Sequence, residues 1–310
     1  MRFRRLAEPD RSSPQLEANA MRSCVAAALA ASLLVLSGSA CGGESRAEGT
    51  PSKPISAKDF DLKNFDHSIE VDNEWFPLRP GTQLISAGST REEGRRVRHR
   101  VVFTVTDLTK VVNAVRAVMI WEQDFSGGKL VETELAFFAQ DNDGNVWHLG
   151  QYPEEYEKGQ FVTAPAWLAG LKGARAGISM KAKPQLGAPS YSQGFAPPPI
   201  NWVDRAKVHR IGARTCVPVR CYYDVLVTRE FEVGKPDAYQ VKYYARGVGN
   251  VRVGWAGPKD KDRETLVLVK AVHLSRRGLA GVRASALRQE RRAYRISKDV
   301  YGRTAPATRR

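Results

Sequence analysis

Residues 97–121 read VRHRVVFTVTDLTKVVNAVRAVMIW. Within 97–105, Val97, His99, Val101, Phe103 and Val105 fall on one face, with Arg98, Arg100, Val102 and Thr104 on the other. That two-residue period belongs to a strand, not a helix. The β-branched, mostly apolar run 111–121 suits a central strand. Working outward, a Ser126-Gly127-Gly128 turn leads into KLVETELAFFAQ (129–140), and Asn142-Asp143-Gly144-Asn145 makes a tight hairpin turn into a strand at 146–149. Further strand patterns fall at 206–212, 222–233, 238–246 and 263–273, whereas 164–174 and 184–201 are rich in Ala, Gly and Pro and read as loops or a short helical turn. Strands do not alternate with helices, so a parallel sheet with nucleotide-binding crevices is not expected. The predicted fold is mainly β: an antiparallel meander of about ten strands forming a curved sheet, a partly open barrel or a sandwich.

The chain has 310 residues, 42% hydrophobic and 26% charged, with a net charge of +15. The composition is that of a globular protein. Residues 275–310 hold 11 Lys and Arg against 2 Asp and Glu, so the central part is not notably basic, and nucleic acid is not an expected partner. Residues 25–40 (VAAALAASLLVLSGSA) carry no charge, follow Met21-Arg22 and end in small residues. A membrane span needs about 20 apolar residues; this shorter layout is that of a secretory signal at 21–40. Cys41 follows at once, and the junction resembles a bacterial lipoprotein signal, in which the Cys becomes the lipidated first residue. Gly38 stands where that family prefers Leu, which leaves ordinary cleavage after Ala40 as the alternative. Residues 1–20 contain Glu8, Asp10 and Glu17 and read as an extension upstream of a true start at Met21. Residues 41–58 are small, polar and Pro-bearing, a flexible tether. A β-rich domain is expected over 59–274. The expected location is the bacterial cell envelope, outside the cytoplasm and lipid-anchored, with secretion as the fallback.

With Cys24 in the signal and Cys41 taken by lipid, Cys216 and Cys221 remain as an even pair in an oxidising compartment and are expected to form a disulfide. Two free thiols are the alternative. The spacing C-x₄-C has no second Cys or His pair to complete a four-ligand metal site. In the tail, Val282, Leu287, Tyr294 and Val300 make no continuous apolar stripe, so 275–310 reads as a solvated, disordered basic extension whose loss would barely change stability. Its charge fits contact with an anionic envelope surface.

The segments VDNEWFPLRPGTQLI (71–85), TDLTKVVNAVRAVMI (106–120), FFAQDNDGNVWHLG (137–150), PVRCYYDVLVTREF (218–231) and KYYARGVGNVRV (242–253) occur in this order. Together they resemble a family of bacterial exported proteins and lipoproteins with N-P-Y-F-P-L-x-P-G-T, Q-D-x-x-G-N-V-W and Y-Y-A-P-G-V-G blocks. This chain has Asn73-Glu74-Trp75 for Asn-Pro-Tyr, Val219-Arg220-Cys221 where a Gly turn is usual, and Arg246 for Pro. The resemblance implies export and, by analogy, the curved half-barrel of periplasmic lipoprotein carriers; it supplies no catalytic residues.

Asp141, Asp143 and Asn145 open a D-N-D-G-N run like the start of a calcium loop, but its twelfth position is Tyr152 instead of Glu, so a hairpin turn is expected and no metal. The five histidines are scattered singly; His99 and His148 fall on strands and read as packed or surface groups. The chain has no G-x-S-x-G elbow, phosphate loop or dinucleotide fingerprint. Trp121 and Trp147 read as core, whereas Trp167 and Trp202, in Pro/Gly/Ala-rich loops, are the candidate ligand-binding residues. No cofactor is expected. The sequence favours a non-enzymatic, lipid-anchored envelope protein that binds a hydrophobic, glycan or protein ligand in a curved sheet. An exported hydrolase whose residues converge only in space, or a purely structural surface protein, is the alternative.

Overall fold

The computed structural model describes residues 56–235 and 237–310. Cys41 and the signal therefore lie outside the described residues. Fifteen strands form one antiparallel sheet that does not close: β1 (Thr82–Glu92), β2 (Arg95–Val112), β3 (Val115–Ser126), β4 (Lys129–Gln140), β5 (Val146–Glu157), β6 (Gln160–Thr163), β7 (Trp167–Leu168), β8 (Gly177–Met180), β9 (Tyr191–Ser192), β10 (Asp204–Cys216), β11 (Cys221–Glu232), β12 (Tyr239–Ala245), β13 (Gly249–Ala256), β14 (Thr265–His273) and β15 (Thr308–Arg309). The spatial order is β6-β5-β4-β3-β2-β1-β14-β13-β12-β11-β10-β9; β15 adds to β2, and β7 and β8 add to β5. The curved antiparallel sheet expected from the sequence is the observed one. The run 111–121 is not a single strand, however. Asn113 and Ala114 adopt positive φ of 47° and 62°, a two-residue hairpin turn between β2 and β3. Ala carries no turn signal, which is why alternation alone ran the two strands together.

Strand alternation gives the sheet two differently covered faces. Outward-pointing Ala117, Met119, Leu135, Phe137, Trp147 and Leu149 form the larger core. Inward-pointing Val105, Val118, Ile120, Ala136 and Phe138 meet Val208, Leu226 and Tyr244 from β10–β12. The two halves of the sheet thus touch across a concavity. Cys216 and Cys221 are joined in a disulfide at the end of the β10–β11 hairpin.

The outer face is covered by the segment expected to be disordered. Residues 276–296 form a helix, α1 (Arg276–Ile296), capped by Ser275, whose Oγ accepts from the Gly278 N–H at 3.2 Å. Its buried residues are Ala286, Gln289, Glu290 and Ala293, so the contact stripe is half small and half polar, which hid it from a search for large apolar residues. The polar members find partners: Gln289 Oε1 accepts from Trp121 Nε1 (2.9 Å) and Thr133 Oγ1 (3.0 Å). Lys110 Nζ, fully buried on β2, donates to Glu290 (2.9 Å), to the Tyr294 hydroxyl (2.9 Å) and to the Ala305 carbonyl (2.7 Å). The ordered domain consequently runs on to the C-terminus. At its other end it includes Ser56, which caps a short 3₁₀ turn over Ala57–Asp59.

Candidate functional site

The inner faces of β3, β4 and β5 turn acidic beyond their apolar halves. Continuing the face of Val118 and Ile120, β3 presents Glu122 and Asp124; continuing that of Phe138 and Ala136, β4 presents Glu134 and Glu132. Register sets like charges directly opposite: Glu122 faces Glu134, Asp124 faces Glu132, and Glu132 in turn faces Glu155 of β5. Such pairs are destabilising, so the fold does not need them. The opposing wall supplies Glu264 ahead of β14, Gln240 and Lys242 of β12, Glu230 and Glu232 of β11, and Asp204 of β10, which pairs with Glu232. Among the described residues three cations bond into this group: Lys242, at 2.7 Å from Glu230, His99, at 2.5 Å from Asp124 and 3.0 Å from Glu264, and Lys235, which pairs with Glu232 at the far end of β11.

Crowding of carboxylates in a recess raises their proton affinity. Burial, then the Asp124 charge, pushes Glu122 up to about 7. Burial and Glu122 push Glu134 up to about 8. Burial and the neighbouring Glu232 and Glu230 push Asp204 up to about 7. Burial opposes the charge on His99, but hydrogen bonds to Asp124 and Glu264 win and lift it to about 10. His99 is thus a fixed cation, unfit as a base near neutrality. The Lys242 charge lowers the proton affinity of both Glu122 and Glu134, opposing the effect of burial.

The recess has an aromatic floor. Phe76, from the WFPL segment ahead of β1, lies 5.4 Å from Phe138, 6.2 Å from Phe103 and 6.4 Å from Tyr244, centroid to centroid. Trp75 and Leu78 beside it are buried. Above that plug the side chains reach solvent: Lys242 is 28% exposed and Glu264 18%.

The sequence-selected residues lie elsewhere. Trp167 and Trp202 do come together, 5.8 Å apart and against His148 at 4.9 and 5.9 Å. Burial keeps His148 neutral, its affinity for a proton lowered to about 4. Gly194 adopts φ +142° and passes so close that a Cβ there would sit 2.6 Å from Trp167. The two rings pack on each other and on His148, and Trp167 also lines a cavity of about 390 Å³ with Leu171, Pro198, Ile200 and Val300. Asp141 is a turn organiser: its carboxylate accepts from the Asn145 backbone N–H (2.7 Å), the Asn145 side chain (2.9 Å) and Trp147 Nε1 (2.8 Å). Asp143 accepts from Asn64 at 2.9 Å. Among the described residues no group of three His, Cys, Asp or Glu side chains is arranged to hold a metal ion. Sequence reasoning missed the acidic recess because its members are spread over seven strands and the loops beside them; the period-two placing of Glu122, Asp124, Glu132 and Glu134 is the signal that could have found it.

No family model matches the chain, and no curated protein does. Two solved structures are similar: a protein assigned as exported, with a YmcC-like fold, from Bacteroides fragilis (13% identity, TM-score 0.39), and one assigned as a lipoprotein from Parabacteroides distasonis (10% identity, TM-score 0.34). Each alignment covers 64% of this chain and 99% of the other. Likeness at that level carries no argument about this chain's activity.

Proposed function

We propose that this chain is a lipid-anchored envelope protein whose concave sheet binds an organic cation with two or more amine groups. The observation that carries the reading is the ladder of directly opposed carboxylates, Glu122–Glu134 and Asp124–Glu132–Glu155, half-buried on the inner face of the sheet. A bound ammonium relieves the repulsion that the fold leaves standing, and methylene spacers suit the floor of Phe76, Phe103, Phe138 and Tyr244. The walls are too acidic for the wholly apolar ligand of a lipid carrier. Non-specific attraction does not account for such binding, since the chain as a whole is +15.

Spermidine at 100 times its dissociation constant should add about 2.7 kcal/mol of stability, a rise in melting temperature of roughly 5–10 °C. Glu122→Gln with Glu134→Gln should remove most of that rise. No shift, or an equal shift in the variant, excludes the recess as a cation site. The rival reading, a hydrolase using Glu122 and Glu134 as acid and base, draws on the same raised proton affinities. It requires turnover that either single Gln variant abolishes.

Anchoring rests on residues 25–41. In fractionated cells, Cys41→Ala is expected to move the protein from membranes to the soluble fraction or leave it unprocessed. Normal processing with full membrane retention would show that Cys41 is not the anchor.

A further inference from the structure

The face of α1 turned away from the sheet is a second charged surface, opposite in sign to the recess. At about 100° per residue, Arg277, Gly281, Ala284, Arg288, Arg291 and Arg295 fall within one narrow stripe, and all six are exposed. Buried Ala286, Glu290 and Ala293 lie on the other side of the helix. Of the helix's remaining arginines, Arg276 is exposed at its first position and two hold the helix to the sheet. Arg283 is bound to Asp107 and Arg292 to Glu154, both on the sheet. No carboxylate among the described residues pairs with Arg277, Arg288, Arg291 or Arg295, and Arg288 donates only to Ser285 at 2.8 Å. Lys298 extends the stripe beyond the helix end and is also exposed. A row of unpaired arginines on a rigid helix costs the fold repulsion and returns no packing, so it calls for an external counter-charge.

We propose that this stripe lays the domain against an anionic phospholipid surface. Charge complementarity supplies the attraction, and Arg guanidinium matches phosphate oxygens bidentately. The choice of lipid over another polyanion rests on the anchoring reading. Only 14 residues, 42–55, lie between Cys41 and Ser56, a leash of about 50 Å at full extension. That leash holds the helix at high effective concentration beside headgroups, where two weak attachments combine.

The test uses the mature chain, residues 41–310, with Cys41→Ala, so that headgroup docking is measured without the apolar 25–40 stretch or a lipid and survives or fails independently of them. Its sedimentation with phosphatidylglycerol-containing vesicles is compared with that on pure phosphatidylcholine. Binding should require the anionic lipid and weaken as salt rises. Replacing Arg277, Arg288, Arg291 and Arg295 by Gln should lower the partition coefficient several hundred-fold, at about fivefold per arginine. Its melting temperature should stay within about 2 °C, since none of the four touches the sheet. Equal binding to both vesicle types, equal binding by the quadruple variant, or binding to soluble polyphosphate without binding to vesicles would each overturn the proposal.

Discussion

Glu290→Gln should lower the stability of the protein by about 3–5 kcal/mol, because it leaves Lys110 charged and buried without its counter-ion. For a domain of this size that is a fall of roughly 10 °C in melting temperature. Gln keeps nearly the volume of Glu, so the loss reports charge and not a cavity. The surroundings cannot make up the difference. The Tyr294 hydroxyl and the Ala305 carbonyl are neutral acceptors, and the Tyr294 and Tyr301 rings, 5.1 and 4.4 Å from Nζ, offer only a cation–π contact. Glu290 also accepts from the Ala307 N–H at 3.0 Å, tying the final turn to the same ion pair. Lys110→Met should be comparably costly, since it strands the carboxylate. Lys110→Met with Glu290→Leu should recover most of the loss. A double variant no better than the two singles added together would show that Lys110 is not held by Glu290. Truncation before Arg276 removes Glu290, Tyr294 and Ala305, leaving Lys110 without any of these acceptors, and uncovers Met119, Leu135 and Phe137, so that protein is not expected to fold.

The same helix shows how far the sequence could be read. The strands were legible because their apolar residues repeat every second position and their turns carry Gly or Asn. The helix was not, because its buried positions are Ala286, Gln289, Glu290 and Ala293. Its polar contacts become core only when Trp121, Thr133 and Lys110 arrive from strands more than 150 residues earlier in the chain. Trp167 and Trp202 illustrate the converse. Their loop composition marks them for binding, and the fold brings them together around Gly194 and His148 in a packed cluster, one side of which, at Trp167, borders a cavity of about 390 Å³. The recess depends on register. Glu122 and Glu134 are separated by 12 positions, and only the β3–β4 pairing makes them neighbours. A period of two shows that both face one side; that they directly oppose each other, and that Lys242 and Glu230 look back at them, are properties of the curved but open arc of strands.

Stability should therefore fall as pH rises from about 4.5 to 8, and Glu122→Gln with Glu134→Gln should flatten that fall. The folded protein holds protons on Glu122 up to about 7 and on Glu134 up to about 8, whereas each carboxyl's ordinary value is 4.5. Between those limits the folded state binds more protons than the unfolded one, which makes the slope of stability against pH negative. The contribution is fully present below 4.5 and is gone once pH has passed the folded values. His99, lifted from 6.5 to about 10, gives the same sign over a higher window, and its slope should survive in the double variant as an internal control. At pH 8 removal of one directly opposed like-charge pair should gain up to about 1 kcal/mol, or 2–4 °C in melting temperature. At pH 4.5 wild type and variant should melt together. The variant that gains stability at pH 8 is the one that loses its response to spermidine, the trade expected where a fold keeps repulsive groups for a ligand. Parallel melting profiles of the two proteins from pH 4.5 to 8 would mean that Glu122 and Glu134 do not share a desolvated recess, and the cation reading would lose its physical basis.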